Sequence, residues 1–227
     1  MQSARFPGVR ALGALALLAV IAGGASAVET SLDAGFGATA GTGVQAGLTL
    51  HHFTRDVPLS LRLAGAYSTR DAGRALDARR VFINDNTNGT PEESADTWQF
   101  RLDLMTPLTE IGGSPVSVGL GLRHASFTGT FNFVGGNEKF DVTSSQWGVG
   151  LFLETAFAVS DRLDFMITAG ADHFLDAALE GHDTTYDPDG DHANPRDGYD
   201  FESADDAVNQ PTLEFHGLLG LRLRLGD

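Results

Sequence analysis

The sequence contains no cysteine and a single lysine, Lys139, among its 227 residues. Without cysteine, the protein has neither a disulfide framework nor the thiol that carries a lipoprotein anchor. Acidic residues outnumber basic residues by 30 to 15, and the formal net charge is −15. Because phosphate binding needs a basic patch, this composition excludes nucleic acid as a partner.

Long apolar runs are also scarce. The exception covers residues 11–21, which follow two arginines and precede the small residues 25–27. This order of basic, apolar and small residues predicts a secretory signal peptide over residues 1–27. The apolar run is shorter than the ~20 residues of a spanning helix. We therefore expect residues 28–227 to form one exported domain.

Eight segments of that domain place apolar residues at every second position, as strands with one apolar face do. The segments cover residues 31–38, 44–50, 59–67, 98–105, 116–123, 146–157, 163–170 and 213–225. Their other face carries glycines and isolated charges of both signs. This mixture suits a cramped barrel interior better than the solvent face of a soluble β-sandwich. The sequence predicts an all-β fold: an antiparallel transmembrane β-barrel of eight strands.

Long and short connections alternate along the chain. Short turns at residues 54–57, 107–115 and 160–161 would lie in the periplasm, whereas the long connections at residues 69–96 and 174–209 would lie outside the cell. Short periplasmic turns and long outer loops are typical of outer-membrane barrels. We therefore expect two long extracellular loops.

Aromatic residues fit the same topology, since Tyr67, Trp98 and Trp147 lie on the apolar face near the predicted outer ends of their strands. Together, the signal peptide, the eight alternating strands and the four outer loops resemble the small eight-stranded outer-membrane barrels of the OmpA-like type. The resemblance covers the mature chain and rests on pattern and topology. It implies export through the periplasm, location in the bacterial outer membrane, and contact with outer-membrane lipid and lipopolysaccharide.

The predicted register turns eleven charged residues towards the barrel interior. They are Arg62, Arg101, Arg123, Arg222, Arg224, Asp33, Asp103, Glu154, Asp164, Asp172 and Glu214. A lumen of eight strands is filled by side chains and holds charges only when they pair. We interpret the set as a plug of salt bridges, with a gate or proton path as the alternative. The register sets Arg222 beside Asp164 and Asp33, and Arg224 is a second candidate partner for Asp164.

The loop at residues 174–209 contains eleven acidic residues and one basic residue, Arg196. Within it, Asp187, Asp189 and Asp191 space carboxylates two apart, as ligands of hard cations often are. These three residues are a candidate site for a divalent cation. The alternative is a solvated, mobile acidic loop. No motif for an organic cofactor is evident.

These features favour a non-enzymatic surface barrel whose acidic loops serve adhesion, shielding or cation-dependent contacts. One alternative is an outer-leaflet lipid hydrolase, because His124 and Ser126 share a strand face and Glu138 lies across the hairpin. The His-x-Ser pair resembles that of the outer-membrane lipid A deacylases. A second alternative is a narrow transport pore.

Overall fold

The structure is a computed structural model that describes residues 28–54 and 57–225. The predicted signal peptide lies outside these residues. In chain order, the elements are β1 (Glu29–Thr39), β2 (Thr42–His51), β3 (Ser60–Arg70), α1 (Ala75–Phe82), β4 (Thr90–Ile111), β5 (Ser114–Val134), β6 (Glu138–Ala158), β7 (Leu163–Phe174), β8 (Leu179–Gly181), β9 (Thr184–Tyr186), α2 (Phe201–Ala207) and β10 (Leu213–Leu225).

Eight of the strands form a closed antiparallel barrel. Strands β1 to β7 follow one another around the wall, and β10 closes it by pairing with both β7 and β1. The short strands β8 and β9 extend from the outer end of β6. The eight-stranded antiparallel barrel predicted from alternation is therefore confirmed. Among the described residues, no helix is long and apolar enough to cross a bilayer.

The outer wall carries a broad apolar belt. Its exposed side chains include Leu32, Phe36, Val44, Trp98, Phe100, Leu102, Leu104, Leu120, Leu122, Trp147, Val149, Leu151, Leu153, Ile167, Phe215, Leu219, Leu221, Leu223 and Leu225. Their strand neighbours point inward and are mostly polar or glycine. Such a surface is stable when lipid rather than water covers it.

Strands β4, β5 and β6 contain 22, 21 and 21 residues, about twice the 9–11 residues that span a bilayer. Their outer halves project beyond the belt, and there the alternation changes phase. On β5, Leu120 and Leu122 face outward, whereas Phe127, Phe131 and Phe133 face inward and are buried. The outward face of this projecting part meets water, so its apolar residues lie on the inner side.

The two long connections are folded. For residues 174–209, this differs from the mobile acidic loop that was one of the expectations. Residues 71–89 contain α1, and residues 175–212 contain β8, β9 and α2. We call these connections, together with the projecting ends of β4, β5 and β6, the cap. The cap has an apolar core formed by Ala72, Ala75, Ala78, Val81, Phe82, Ala95, Phe127, Phe131, Phe133, Phe140, Val142, Leu179, Tyr186, Ala204, Ala207 and Val208.

Candidate functional site

The barrel interior gathers all eleven charged residues of the predicted set. Ten of them are buried, and Arg224 lies half-exposed at the periplasmic mouth. The structure adds Arg70, whose guanidinium binds the carboxylate of Glu214. Among the described residues, the interior thus contains six arginines and six carboxylates. We call these twelve residues the interior network.

The periplasmic part of the network is centred on Arg222. Its Nε donates to Asp33 Oδ1 at 2.8 Å, and its Nη2 donates to Glu154 Oε1 at 2.7 Å. The second oxygen of Glu154 lies 2.5 Å from Arg62 Nη1. Asp33 also accepts a hydrogen bond of 2.6 Å from the hydroxyl of Thr49. Every carboxylate oxygen in this layer therefore has a donor, as buried charges require.

The backbone register places Arg222 opposite both Asp164 and Asp33, the two positions set beside it in the sequence analysis. The side-chain contacts, however, assign the two carboxylates to different arginines. Asp164 binds Arg224 through two contacts of 2.5 and 3.0 Å, whereas Arg222 binds Asp33. Glu154 also reaches Arg222 from another strand, so this guanidinium binds two carboxylates, those of Asp33 and Glu154.

The middle of the barrel is centred on Arg123, whose side chain is fully buried. It donates to Asp103 at 2.5 Å and to Asp172 at 2.7 Å. Asp103 lies 3.2 Å from Arg62, which joins the middle layer to the periplasmic layer. Asp172 in turn binds Arg101. Eight members of the interior network thus form one continuous chain of ion pairs along the barrel axis. Asp164 with Arg224 and Arg70 with Glu214 form two further pairs.

Two amide side chains and a histidine contact members of the network. Gln45 accepts a 2.7 Å hydrogen bond from Arg101, and Gln99 donates a 3.0 Å hydrogen bond to Glu214. His216 lies 3.3 Å from Asp172 and its side chain is 1% exposed. None of the three was among the predicted site residues, although Gln45, Gln99 and His216 all occupy inward positions of the alternating pattern. Arg70 was assigned to a loop, because the apolar pattern of β3 ends before it.

Glycines provide the space for the arginines. A Cβ added to Gly150 would lie 2.0 Å from Asp172 Oδ1 and 2.4 Å from Arg123 Nη2. A Cβ added to Gly121 would lie 2.2 Å from Asp103 Oδ1. These two glycines therefore belong to the site, because any side chain at either position would displace an ion pair.

The interior is closely filled beside Asp33, whereas a cavity of about 310 Å³ opens at the periplasmic mouth beside Asp164, Arg222 and Arg224. A cavity lined in part by Asp33, Gln45, Met166 and Thr168 has a volume of about 10 Å³, room for one water molecule at most. Above the network, Gln146 donates to Gln210 and to the carbonyl of Pro211, each at 2.9 Å. These contacts join the barrel wall to the cap over its outer mouth.

Within the cap, Arg79 is a buried cation with a side chain that is 1% exposed. It forms an ion pair with Glu138, lies 4.3 Å over the ring of Phe133, and donates to the carbonyl of Asn88 at 2.9 Å. Arg79 comes from one long connection, Glu138 from β6 and Phe133 from β5. The residue therefore fastens the first long connection to the projecting hairpin.

The residues of the hydrolase alternative are separated. His124 and Ser126 lie on the outer wall of β5, where His124 Nε2 is 3.1 Å from the hydroxyl of Ser145. Glu138 lies nine residues along β6 from Trp147, the register partner of His124, which corresponds to ~30 Å of extended strand. The structure does not assemble these three side chains into a triad.

The structure shows no metal-binding geometry at the candidate cation residues. Among the described residues, no group of three or more histidine, aspartate or glutamate side chains is arranged to hold a metal ion. The carboxylate of Asp187 accepts a 2.9 Å hydrogen bond from the backbone N–H of Asp189, and His192 accepts one of 3.1 Å from the N–H of Asp187. The segment containing Asp191 is thus held by a local turn.

No protein-family model and no curated protein matches the chain. Among solved structures, it is similar to a major outer membrane protein from Thermus thermophilus. That likeness has a TM-score of 0.71 and 22% identity, and it covers 88% of this chain and 100% of that chain.

Two further structures are less similar. Neisserial surface protein A (NspA) has a TM-score of 0.38 and 12% identity, and the match covers 87% of this chain and 96% of that chain. CarO from Acinetobacter baumannii has a TM-score of 0.43 and 12% identity, and the match covers 87% and 97%. Scores this low carry no argument.

The apolar belt, the closed wall and the architecture shared with the Thermus thermophilus protein all indicate the same fold. The chain has the fold of the small eight-stranded β-barrels of the bacterial outer membrane, and its belt places it in that membrane.

Proposed function

We propose that the protein is a non-enzymatic surface barrel that does not conduct ions and that carries a rigid acidic cap on the outside of the cell. The observation that carries this proposal is the interior network, eight members of which form a continuous chain of buried ion pairs along the axis. A barrel built for transport would leave space for its substrate, whereas here Arg62 and Arg101 reach across the lumen to Glu154 and Asp172, each three strands away around the wall.

The balance of charge supports a sealed interior. Removing one partner of a buried ion pair leaves an uncompensated charge, at a cost of ~3–5 kcal/mol. An ion that crossed the lumen would have to separate several such pairs, among them Arg123 with Asp172 and Arg222 with Glu154. The network therefore acts as a plug made from the wall itself.

The cap supports a role in display. Its apolar core holds the two long connections in one arrangement, and residues 174–209 contribute eleven acidic residues to it against Arg196. A dense negative charge above the membrane repels anionic surfaces and attracts divalent cations. We expect shielding, adhesion or cation-dependent contacts to act through this surface, while the belt contacts outer-membrane lipid and lipopolysaccharide.

Planar-bilayer recording tests the seal. We expect the purified protein to give no large, steady channels, and we expect the same after residues 176–209 are replaced by a short glycine-serine linker, because the network lies below the cap. Steady channels in the unmodified protein would support the transport alternative and contradict the proposal. Channels that appear only after the replacement would assign the seal to the cap.

Lipid hydrolysis is tested separately. We expect the wild-type protein to release no acyl chains from lipopolysaccharide in detergent micelles. Release that is lost in both His124→Ala and Ser126→Ala would show enzymatic activity and contradict the non-enzymatic assignment.

A further inference from the structure

The outer wall contains a polar notch where strand pairing is interrupted. Strand β6 pairs with β7 up to Gly148 and with β8 from Thr143 onward. Between these pairings, the edge of β6 is free of strand partners among the described residues and faces the connection after β7. A notch of about 260 Å³ opens there. It is lined by Ser126, Thr143, Ser144, Ser145, Ala178 and Glu180.

The notch lies at the level where the wall changes from apolar to polar. On β6, the outward residues Thr143 and Ser145 line the notch. The next outward residues towards the periplasm, Trp147 and Val149, are exposed apolar side chains. Tryptophan at such a boundary marks the headgroup level of a membrane. Since the notch lies on the outer side of the belt, it faces the headgroups of the outer leaflet.

The lining groups are hydrogen-bonding and almost all uncharged. Ser126 and Ser145 present exposed hydroxyls, and Ser145 is in contact with the imidazole of His124. Ser144 also lines the notch, but its side chain is on the inward face of β6 and is 6% exposed. The hydroxyls that a bound molecule could contact are therefore those on the outward face.

The charges near the notch favour a sugar headgroup over a phosphate headgroup. The charged residue of the lining is Glu180, and Asp141 lies two positions beyond Thr143 on the same face. None of the described residues that line the notch is lysine or arginine. Phosphate recognition uses arginine or lysine, and the nearby carboxylates repel an anion. Sugar hydroxyls, in contrast, suit serine, threonine and one carboxylate acceptor.

We propose that this notch binds the uncharged sugar headgroup of a glycolipid in the outer leaflet, whose acyl chains then lie along the belt below Trp147. The inference is independent of the proposed function, because a conducting or a sealed barrel could bind lipid in this way.

The test uses the full chain with Trp98→Phe, so that Trp147 is its remaining tryptophan. The protein is placed in phosphatidylcholine nanodiscs that contain a minor fraction of monoglucosyl diacylglycerol with brominated chains, which quench Trp147 on contact. Brominated phosphatidylglycerol and brominated phosphatidylcholine at the same fraction serve as comparisons. We expect quenching by the glycolipid to exceed that by both comparisons.

Variants then locate the site. Ser126→Val combined with Ser145→Val should reduce the enrichment of the glycolipid about tenfold, as the loss of roughly one net hydrogen bond does. Thr130→Val, higher on the same face, should leave it unchanged. Glu180→Lys should shift preference towards brominated phosphatidylglycerol. Equal quenching by all three lipids, preference for phosphatidylglycerol in the starting protein, or enrichment that survives the double substitution would each overturn the proposal.

Discussion

The barrel and the cap bury opposite kinds of side chain. The barrel encloses arginines and carboxylates and exposes leucine and phenylalanine, whereas the cap encloses phenylalanine and alanine and exposes aspartate and glutamate. The same strands β4, β5 and β6 belong to both, and on β5 the inward face changes from Arg123 to Phe127 within four residues. The surrounding solvent explains the difference, since lipid covers the wall of one region and water covers the other.

The barrel and the cap also differ in what a substitution leaves behind. A cap residue that loses a contact leaves a cavity, whereas a network residue that loses its partner leaves a charge. We therefore expect the two regions to fail separately and to different degrees.

The largest effect is expected in the network. Arg222→Ala removes the guanidinium that binds both oxygens of Asp33, at 2.8 and 3.1 Å, and should destabilise the barrel by ~3–5 kcal/mol. The loss is measured as a lower temperature for the shift of gel mobility on heating. Adding Asp33→Asn should restore part of it, because the unpaired charge is then removed.

The matched control adds Asp164→Asn to Arg222→Ala instead. Since Asp164 binds Arg224, this second substitution should restore nothing and should weaken the barrel further. Equal rescue by both double variants would contradict the pairing seen in the structure.

The next effect is expected in the cap. Phe131 is fully buried and stacks on Phe140 with ring centroids 5.3 Å apart, so Phe131→Ala should loosen the cap by ~3 kcal/mol. Protease added to intact cells should then cut residues 175–212 faster, while the heat transition of the barrel stays the same. Leu76→Ala, on the exposed side of α1, is the control and should change neither measurement. Faster cleavage together with a lower heat transition temperature would mean that the cap and the barrel unfold together.

A smaller effect separates inward from outward glycines. Gly150→Ala would press a methyl group into Arg123 and Asp172, at a cost of ~1–3 kcal/mol. Gly217→Ala, on the lipid-facing side of β10, meets nothing within 4 Å and should be neutral. Urea unfolding in detergent micelles compares the two variants. A neutral Gly150→Ala would show that the interior is less closely packed than the contacts indicate.

The smallest effect depends on pH. Hydrogen bonds from the hydroxyl and the backbone N–H of Ser203 lower the pKa of Asp200, the N-cap of α2. The stabilisation that Asp200 gives is fully present above its unfolded pKa of ~3.9 and is lost as the pH falls through its lower folded value. Protease sensitivity of the cap should therefore rise at acid pH.

Substitution identifies the group responsible for that pH dependence. Asp200→Asn should keep the N-cap hydrogen bond of α2, because asparagine can accept it without titrating. The part of the acid sensitivity that comes from residue 200 should then be lost. Asp200→Ala should raise the sensitivity already at neutral pH. An unchanged acid response in Asp200→Asn would assign the effect to other carboxyl groups of the cap.

Part of the interior network could be predicted from the alternation of apolar and polar residues along the strands. The inward positions of Asp33, Glu154 and Arg222 follow from the apolar residues beside them, because a strand has a period of two. Arg70 and the projecting half of β5 could not be found in this way. There the outward residues meet water instead of lipid, so the apolar face changes sides and the pattern that marks a membrane strand ends.

The sequence by itself determined which face of each barrel strand meets lipid and how many strands the barrel has. It also determined that the interior charges nearly balance. Each of these properties follows from the local order of residues along the chain. The tertiary structure decided that Asp164 binds Arg224 while Glu154 binds Arg222, and that the two long connections fold into one cap. These outcomes depend on contacts between strands and connections far apart in the chain, where the stagger of the barrel and the packing of side chains select one partner among several of equal charge.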